Sequence, residues 1–140
     1  MAIIIDIKNA IRRAIYTRDN DINFFFNEIL KVQYPYVYCY FPEIKLDGYA
    51  SAEYYRNIRG KCVLNCAVNE NSTTTELIEY FESLISDAVY SLNLVGIVVL
   101  PSSYSFNTNN NVFQATFDFQ YTFKYEDETE LMKELNLSIK

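Results

Sequence analysis

The clearest pattern in this chain is the alternation of apolar and polar residues between Asn111 and Glu126. Side chains of a strand point alternately to its two faces, so the pattern predicts one long strand with an aromatic face and a polar face. Such alternation is typical of an antiparallel sheet that is covered on one side only. The apolar positions are Phe113, Ala115, Phe117, Phe119, Tyr121, Phe123 and Tyr125.

Two segments carry apolar residues at the spacing of one helix face. The first contains Ile7, Ile11 and Ile15 and predicts a short amphipathic helix that ends near residues 18–21. The second predicts a helix over residues 73–92 that begins with a capping box, in which the Thr73 and Glu76 side chains each bond a backbone N–H of the first turn. Its buried stripe is expected to consist of Leu77, Phe81, Leu84, Ile85, Ala88, Val89 and Leu92.

Shorter segments rich in β-branched and aromatic residues predict further strands, at residues 22–29, 34–41, 54–68 and 94–104. Between them, residues 43–53 are assigned to a long loop and residues 105–111 to an Asn-rich turn. Alternation within 54–68 places Ile58, Gly60, Cys62, Leu64, Cys66 and Val68 on one face, and Tyr55, Asn57, Arg59, Lys61 and Asn65 on the other.

The predicted order of elements is helix, three strands, helix, hairpin and tail. This order is typical of an α+β domain, here an antiparallel, mostly four- to five-stranded sheet with two helices packed on one face. Residues 1–126 are expected to form this single domain, and residues 127–140 an acidic tail or a short helix. A chain of 140 residues is long enough to bury about two thirds of its unfolded surface.

The amino-acid composition argues against most kinds of catalytic site. The chain has no histidine, which is the commonest general base and the commonest zinc ligand, and its three glycines cannot build a phosphate-binding loop. Cys39, Cys62 and Cys66 lack metal-ligand spacing and are interpreted as reduced thiols of the core. We therefore expect no catalytic residue, no metal and no cofactor. The longest apolar run, residues 94–100, is too short to span a membrane.

Basic and aromatic residues lie together at the start of the strand 54–68, where Arg56, Arg59 and Lys61 follow Tyr55. Such a group suits single-stranded nucleic acid, the polar face of an ordinary strand, or a protein interface. The net charge of −6 disfavours the nucleic-acid interpretation. Arginine and tyrosine dominate interface hot spots, so we expect this strand face to meet another protein subunit.

Five segments carry a resemblance to a known family. They are IIIDIKNAIRRAIY, PYVYCYFPEI, YYRNIRGKCVLNCAVN, STTTELIEYFESL and FQATFDFQYTFKY. In this order, and in a chain of this length, they resemble the small tail terminator proteins of tailed bacteriophages and phage-derived particles, especially those of low-GC Gram-positive hosts. The resemblance covers about residues 1–126.

The resemblance implies a structural protein that is not an enzyme. Members of that family form a six-membered ring on the last ring of the tail tube, which stops polymerisation of the tube and, where present, the sheath. The ring then offers the head connector, or neck protein, its docking surface, and DNA passes through without specific binding. The expected location is the tail–neck junction of the virion, after assembly in the host bacterial cytoplasm. Within the predicted loop, Lys45, Asp47 and Tyr49 are expected to contact an adjacent ring subunit or the tube.

Two alternative functions are also compatible with the sequence. A head-closure or neck protein would share the ring and the structural role. A small-ligand-binding α+β domain would instead place a pocket between the aromatic face of the sheet and the long helix. That pocket requires an open cavity of several hundred Å³, so the filling of this face distinguishes the two classes.

Overall fold

The computed structural model describes residues 3–29, 31–49 and 55–124. Within these ranges the chain forms two α-helices and six strands, which is the predicted α+β class. Two 3-10 turns, Leu92–Val95 and Pro101–Ser103, flank the fourth strand. The elements are α1 (Ile3–Tyr16), β1 (Asn23–Phe26), β2 (Tyr36–Tyr49), β3 (Tyr55–Ala67), α2 (Thr74–Ser91), β4 (Ile97–Val99), β5 (Ser105–Asn109) and β6 (Val112–Lys124).

The strands form one sheet in the order β1-β2-β3-β6-β4, and β5 also pairs with β6. Every described pair is antiparallel except β1 with β2, which is parallel, so the sheet is mostly antiparallel and departs from the prediction at this edge. Its six strands are close to the four to five predicted. The connection 27–35 explains why parallel pairing is possible. It can span up to about 30 Å, whereas the four residues of β1 rise only about 13 Å.

The long alternating strand is confirmed as β6. Phe113, Ala115, Phe117 and Phe119 are at most 1% exposed, and they join buried residues of both helices in one core. We call the sheet face that carries these residues the inner face and the opposite one the outer face. Each fully buried aromatic ring contributes roughly 2–3 kcal/mol through removal of apolar surface from water.

The capping box of α2 is confirmed. The Glu76 backbone N–H donates to Thr73 Oγ1 over 3.2 Å, and the Thr73 N–H donates to Glu76 Oε1 over 3.1 Å. These bonds hold the pKa of the exposed Glu76 carboxyl below its usual value, because they stabilise the charged form. The helix therefore begins where the sequence predicts.

The predicted loop over residues 43–53 is wrong for its first part, because β2 continues to Tyr49. The register between β2 and β3 shifts between Tyr40 and Glu43, so Pro42 lies in a bulge. Pairing with β1 ends at Cys39, and within the described residues no strand pairs with the β1 side of β2 beyond this point. A proline, which has no N–H to donate, is tolerated at such a position. Residues 50–54, the remainder of the predicted loop, lie outside the described residues.

The prediction of a strand over residues 94–104 is also wrong, since only β4, three residues long, is a strand there. The preceding 3-10 turn ends at Gly96, whose φ of 87° breaks the extended conformation. Pro101 starts the next 3-10 turn, so few residues remain for pairing with β6.

The Asn-rich segment is a strand and not a turn over most of its length. β5 pairs with the start of β6, and the Phe106 ring stacks on Phe113 at 5.2 Å between centroids. The turn itself is Asn110 and Asn111, with φ of 51° and 66°. Two successive positive φ values are those of a two-residue hairpin turn, and asparagine tolerates them better than most residues.

Candidate interaction surface

The outer face of the sheet is the candidate functional site. Both helices contribute buried residues to the core on the inner face, whereas the outer face carries half-buried and exposed side chains. Alternation along the strands decides which residues these are. They are Tyr36, Tyr38, Tyr40, Glu43 and Lys45 of β2, Asn57, Arg59, Lys61 and Asn65 of β3, and Gln114, Thr116, Asp118 and Gln120 of β6.

A row of tyrosines follows β2 on this face. The rings of Tyr34 and Tyr36 lie 5.5 Å apart and those of Tyr38 and Tyr40 lie 5.4 Å apart, measured between centroids. Phe25 of β1 adds an edge contact with Tyr36 at 6.3 Å. Such side chains present large apolar area at a small entropic cost while their hydroxyls stay in contact with water. We call these five residues the tyrosine row.

Burial raises the pKa of the Tyr36 hydroxyl, and the neighbouring Tyr34 raises it further. The hydroxyl therefore remains protonated at neutral pH and can donate a hydrogen bond to a partner. Tyr38 already uses its hydroxyl to donate to the backbone carbonyl of Asn27, over 2.9 Å. This bond ties the tyrosine row to the residue after β1 and orients one of its rings.

Amide side chains lie next to the tyrosine row. A surface depression of about 360 Å³ is lined by the Tyr36 and Tyr38 rings together with Asn65 and Gln114. The Gln114 amide donates to the Asn65 carbonyl oxygen across β3 and β6, over 2.9 Å. The depression offers stacking surfaces and amide donors side by side, which is binding chemistry without a nucleophile or a base.

The outer face becomes charged beyond the bulge at Pro42, in a patch that we call the charged end. Lys61 Nζ lies 3.0 Å from Asp118 Oδ1, and the two side chains are 41% and 40% exposed. Lys45 Nζ lies 3.2 Å from the carboxylate of Glu43, and Arg59 lies opposite Lys45 in the strand register. Pairs this exposed contribute about 0.5 kcal/mol at most to stability. Their alternating signs favour selection of a partner and its orientation.

The structure brings together three of the residues that the sequence singled out. Lys45, Arg59 and Lys61 all line one depression of about 250 Å³ at the charged end. Lys45 reaches it from β2 and not from a loop. Arg56 is a correction: it is 6% exposed, and its position along β3 places it on the inner side with Ile58. It therefore does not share a face with Arg59.

The other three predicted residues are described by their backbone alone. Asp47 pairs with Asn57, Tyr49 pairs with Arg56, and Tyr55 pairs with Lys124. All three therefore lie in strands near one end of the sheet. The interface role predicted for their side chains stays a prediction.

The prediction of a strand over residues 34–41 rested on its aromatic content and did not separate its two faces, so it missed the tyrosine row. The signal was present in the alternation: tyrosine occupies positions 34, 36, 38 and 40, while Val37 and Cys39 between them are fully buried. Tyrosine is amphipathic, so its recurrence at every second position predicts a half-exposed strand face, just as alternating polar residues would. Asp118 was assigned correctly to the wet face of β6, but its pairing with Lys61 depends on the register of two distant strands.

The three cysteines form a buried cluster on the inner face. Cys39 Sγ lies 3.7 Å from Cys62 Sγ, and Cys66 is also fully buried. Burial raises the pKa of the Cys62 and Cys66 thiols well above the usual value, and the proximity of Cys39 adds to the effect. Because the thiolate is the reactive form, these groups are inert at neutral pH. Within residues 3–29, 31–49 and 55–124, no three Cys, Asp or Glu residues are grouped in a way that could hold a metal ion.

Comparison with known proteins adds no relative. No protein-family model matches the chain, and a search of curated proteins gives no significant match. Neither α1 nor α2, the α-helices of the described part of the chain, is long and apolar enough to cross a membrane. The features that bear on function are therefore the fold, the outer face and the resemblance of the sequence segments.

Proposed function

We propose that this protein is a structural ring subunit of the tail terminator type, without enzymatic activity. In this role, six copies close a ring on the last ring of a phage tail tube. The ring stops polymerisation of the tube and, where present, the sheath, and then receives the head connector. The protein would act at the tail–neck junction of the virion.

The outer face of the sheet is the observation that carries this proposal. It combines a row of half-exposed tyrosines with a charged end that contains Arg59 and Lys61. Tyrosine and arginine are enriched in protein interfaces and at their hot spots. A face of this composition supports a role in assembly.

Ring closure requires two different patches on each subunit, because head-to-tail contacts join unlike surfaces. The tyrosine row ends at Tyr40 and the charged residues begin at Glu43, so two unlike patches adjoin along β2. A subunit built in this way can offer one patch to each neighbour.

Two further properties support the proposal. The segments that carry the resemblance lie on α1, β2, β3, α2 and β6, in the order of the chain. The net charge of −6 would repel DNA phosphates, which suits a conduit that DNA must traverse without sticking.

The alternative function as a ligand-binding domain has less support. Beneath α2, the Phe81 and Phe113 rings stack at 6.0 Å and both are fully buried. Phe117 and Ile85 beside them are fully buried too. This region is packed with side chains, where a ligand pocket would require open volume.

The test uses charge reversal at the charged end. Purified protein is added to growing tail tubes of the tube protein from the same phage, and tube lengths are measured by electron microscopy. Wild-type protein should halt growth, and Arg59→Glu should fail to do so while keeping the wild-type circular dichroism spectrum. Arg13→Glu, which makes the same charge change at an exposed position of α1, is the matched control and should halt growth normally. Tubes that grow equally long with and without wild-type protein would overturn the proposal.

A further inference from the structure

A groove runs between α1 and the edge strand β1, and it shares Phe25 with the tyrosine row. Its volume is about 340 Å³. Lys8, Arg12 and Tyr16 form one wall, because residues four apart lie on the same side of a helix. The other wall is formed by Phe24, Phe25, Phe26 and Glu28.

The two cations of this groove lie over aromatic rings. Lys8 Nζ is 5.8 Å from the centroid of the Phe26 ring, and the Arg12 guanidinium is 5.3 Å from that of Tyr16. Within the described part of the chain, no carboxylate lies within ion-pair distance of either cation. Lys8 and Arg12 outnumber Glu28, the one carboxylate among the lining residues, so the groove has a net positive charge. An aromatic floor with this charge is complementary to a chain that carries both acidic and apolar side chains.

This protein contains such a chain in residues 126–135, EDETELMKEL. The segment holds five carboxylates and one lysine. Four of the carboxylates precede Leu131 and Met132, and the fifth, Glu134, precedes Leu135. We propose that the groove between α1 and β1 binds residues 126–135 of a second copy of this protein. The carboxylates would pair with Lys8 and Arg12, and the apolar side chains would cover the phenylalanine rings.

The register of the sheet explains why the occupant belongs to another copy. Phe26 is level with Ala115 of β6, through Cys39 and Leu64. Lys124 lies nine residues beyond Ala115 and three strands from β1. At about 3.3 Å per residue and 4.8 Å per strand, Lys124 is about 33 Å from Phe26.

Most of the segment that follows Lys124 is too short to close this distance. Only Glu134 and Leu135, which can lie at most about 36 and 40 Å from Lys124, could reach the groove of the same subunit. Even fully extended, the seven residues to Leu131 span at most about 25 Å. The carboxylates of Asp127 and Glu128 fall further short still. A neighbouring subunit, by contrast, can place its own segment against the groove without this restriction.

The inference deepens the proposed function, since it names one contact through which neighbouring subunits of the ring would join. Its test is independent of tails. A fluorescein-labelled peptide of residues 125–140 is titrated with full-length protein, and binding is followed by fluorescence anisotropy at low salt. Arg12→Glu should weaken binding about tenfold or more, because it replaces an attraction by a repulsion in the groove.

The adjacent residue provides the matched control. Arg13 is also exposed and on α1 but does not line the groove, so Arg13→Glu should change affinity by less than about twofold. A second peptide carries Glu128→Lys and Glu130→Lys. Compared with the unchanged peptide, it should bind the wild-type protein more weakly and the Arg12→Glu variant more tightly. Circular dichroism of each variant verifies that α1 is intact.

Three results would overturn the inference: absence of peptide binding at millimolar protein, equal losses in the two arginine variants, or no recovery with the lysine peptide. If the protein caps tails but does not bind the peptide, the groove contact is refuted and the proposed function stands. If the protein binds the peptide but leaves tube growth unchanged, the proposed function is refuted and the groove contact stands.

Discussion

Replacement of Phe117 by alanine tests the division of the sheet into two faces. Phe117 is fully buried on β6, level with Cys62 of β3, and its ring meets that of Phe119 at 6.5 Å. Truncation removes a ring from water-excluded surroundings and leaves a cavity that the neighbouring strands can fill only in part. Changes of this kind cost about 3–5 kcal/mol.

The next residue along the strand is the control. Asp118 points to the outer face, where its carboxylate pairs with Lys61 while 40% of the side chain stays exposed. Asp118→Ala removes this pair, which is worth about 0.5 kcal/mol at such exposure. Two substitutions that are adjacent in sequence therefore differ several-fold in the free energy of unfolding that they remove.

Urea denaturation followed by circular dichroism measures both losses. Total stability of a domain is about 5–15 kcal/mol, so Phe117→Ala should shift the urea midpoint strongly and lower the melting temperature by about 10 °C or more. Asp118→Ala should lower it by about 2 °C. Equal shifts in the two variants, or a larger one for Asp118→Ala, would refute the assignment of faces.

Three other predictions concern the bulge, the helix start and the buried thiols. Gly60→Ala should cost about 2 kcal/mol, because an added Cβ would lie 2.7 Å from the backbone carbonyl oxygen of Glu43, and an unchanged urea midpoint would contradict this. Thr73→Ala should cost about 1 kcal/mol through loss of the capping box, measured by the same titration. The pKa values of Cys62 and Cys66 are raised in the folded state, so their contribution is complete below the unfolded value of 9.0 and is lost as pH rises above it. Melting temperatures should therefore fall between about pH 9 and pH 11, and a constant value would contradict the burial argument.

The parts of the fold that the sequence predicted are those where one local pattern decides the outcome. β6 was predicted because its alternation extends over the whole strand, and α2 because its apolar stripe and the Thr73 capping box agree. In each case the signal lies within the element itself. Tertiary contacts in these two elements agree with the local preference of the sequence, so the prediction holds.

The errors lie where pairing with a distant strand decides the outcome. The strand predicted over residues 34–41 stops just before Pro42, but β3 holds the backbone on both sides of the bulge at this residue. The asparagines of β5 have low strand propensity, yet β6 supplies a partner for them. Parallel pairing of β1 depends on where the connection returns to the sheet, which no local pattern encodes.

The candidate surface was predicted in part for the same reason. Arg59 and Lys61 occupy outer positions of β3 by alternation alone, and by the same rule Arg56 belongs to the inner side. The grouping of Arg56 with them followed from its charge, which the spacing outweighs. Lys45 could join them only through the register between β2 and β3, which lies beyond the reach of a local pattern.

The most direct test of the proposed tail-terminator function is electron microscopy of the wild-type protein mixed with tail tubes of the phage to which the proposal assigns it. The account predicts a six-fold ring of this 16.4 kDa chain at one end of each tube, and no further growth of the tubes that carry it. Bare tube ends, with tubes that continue to lengthen in the presence of excess folded protein, would contradict it.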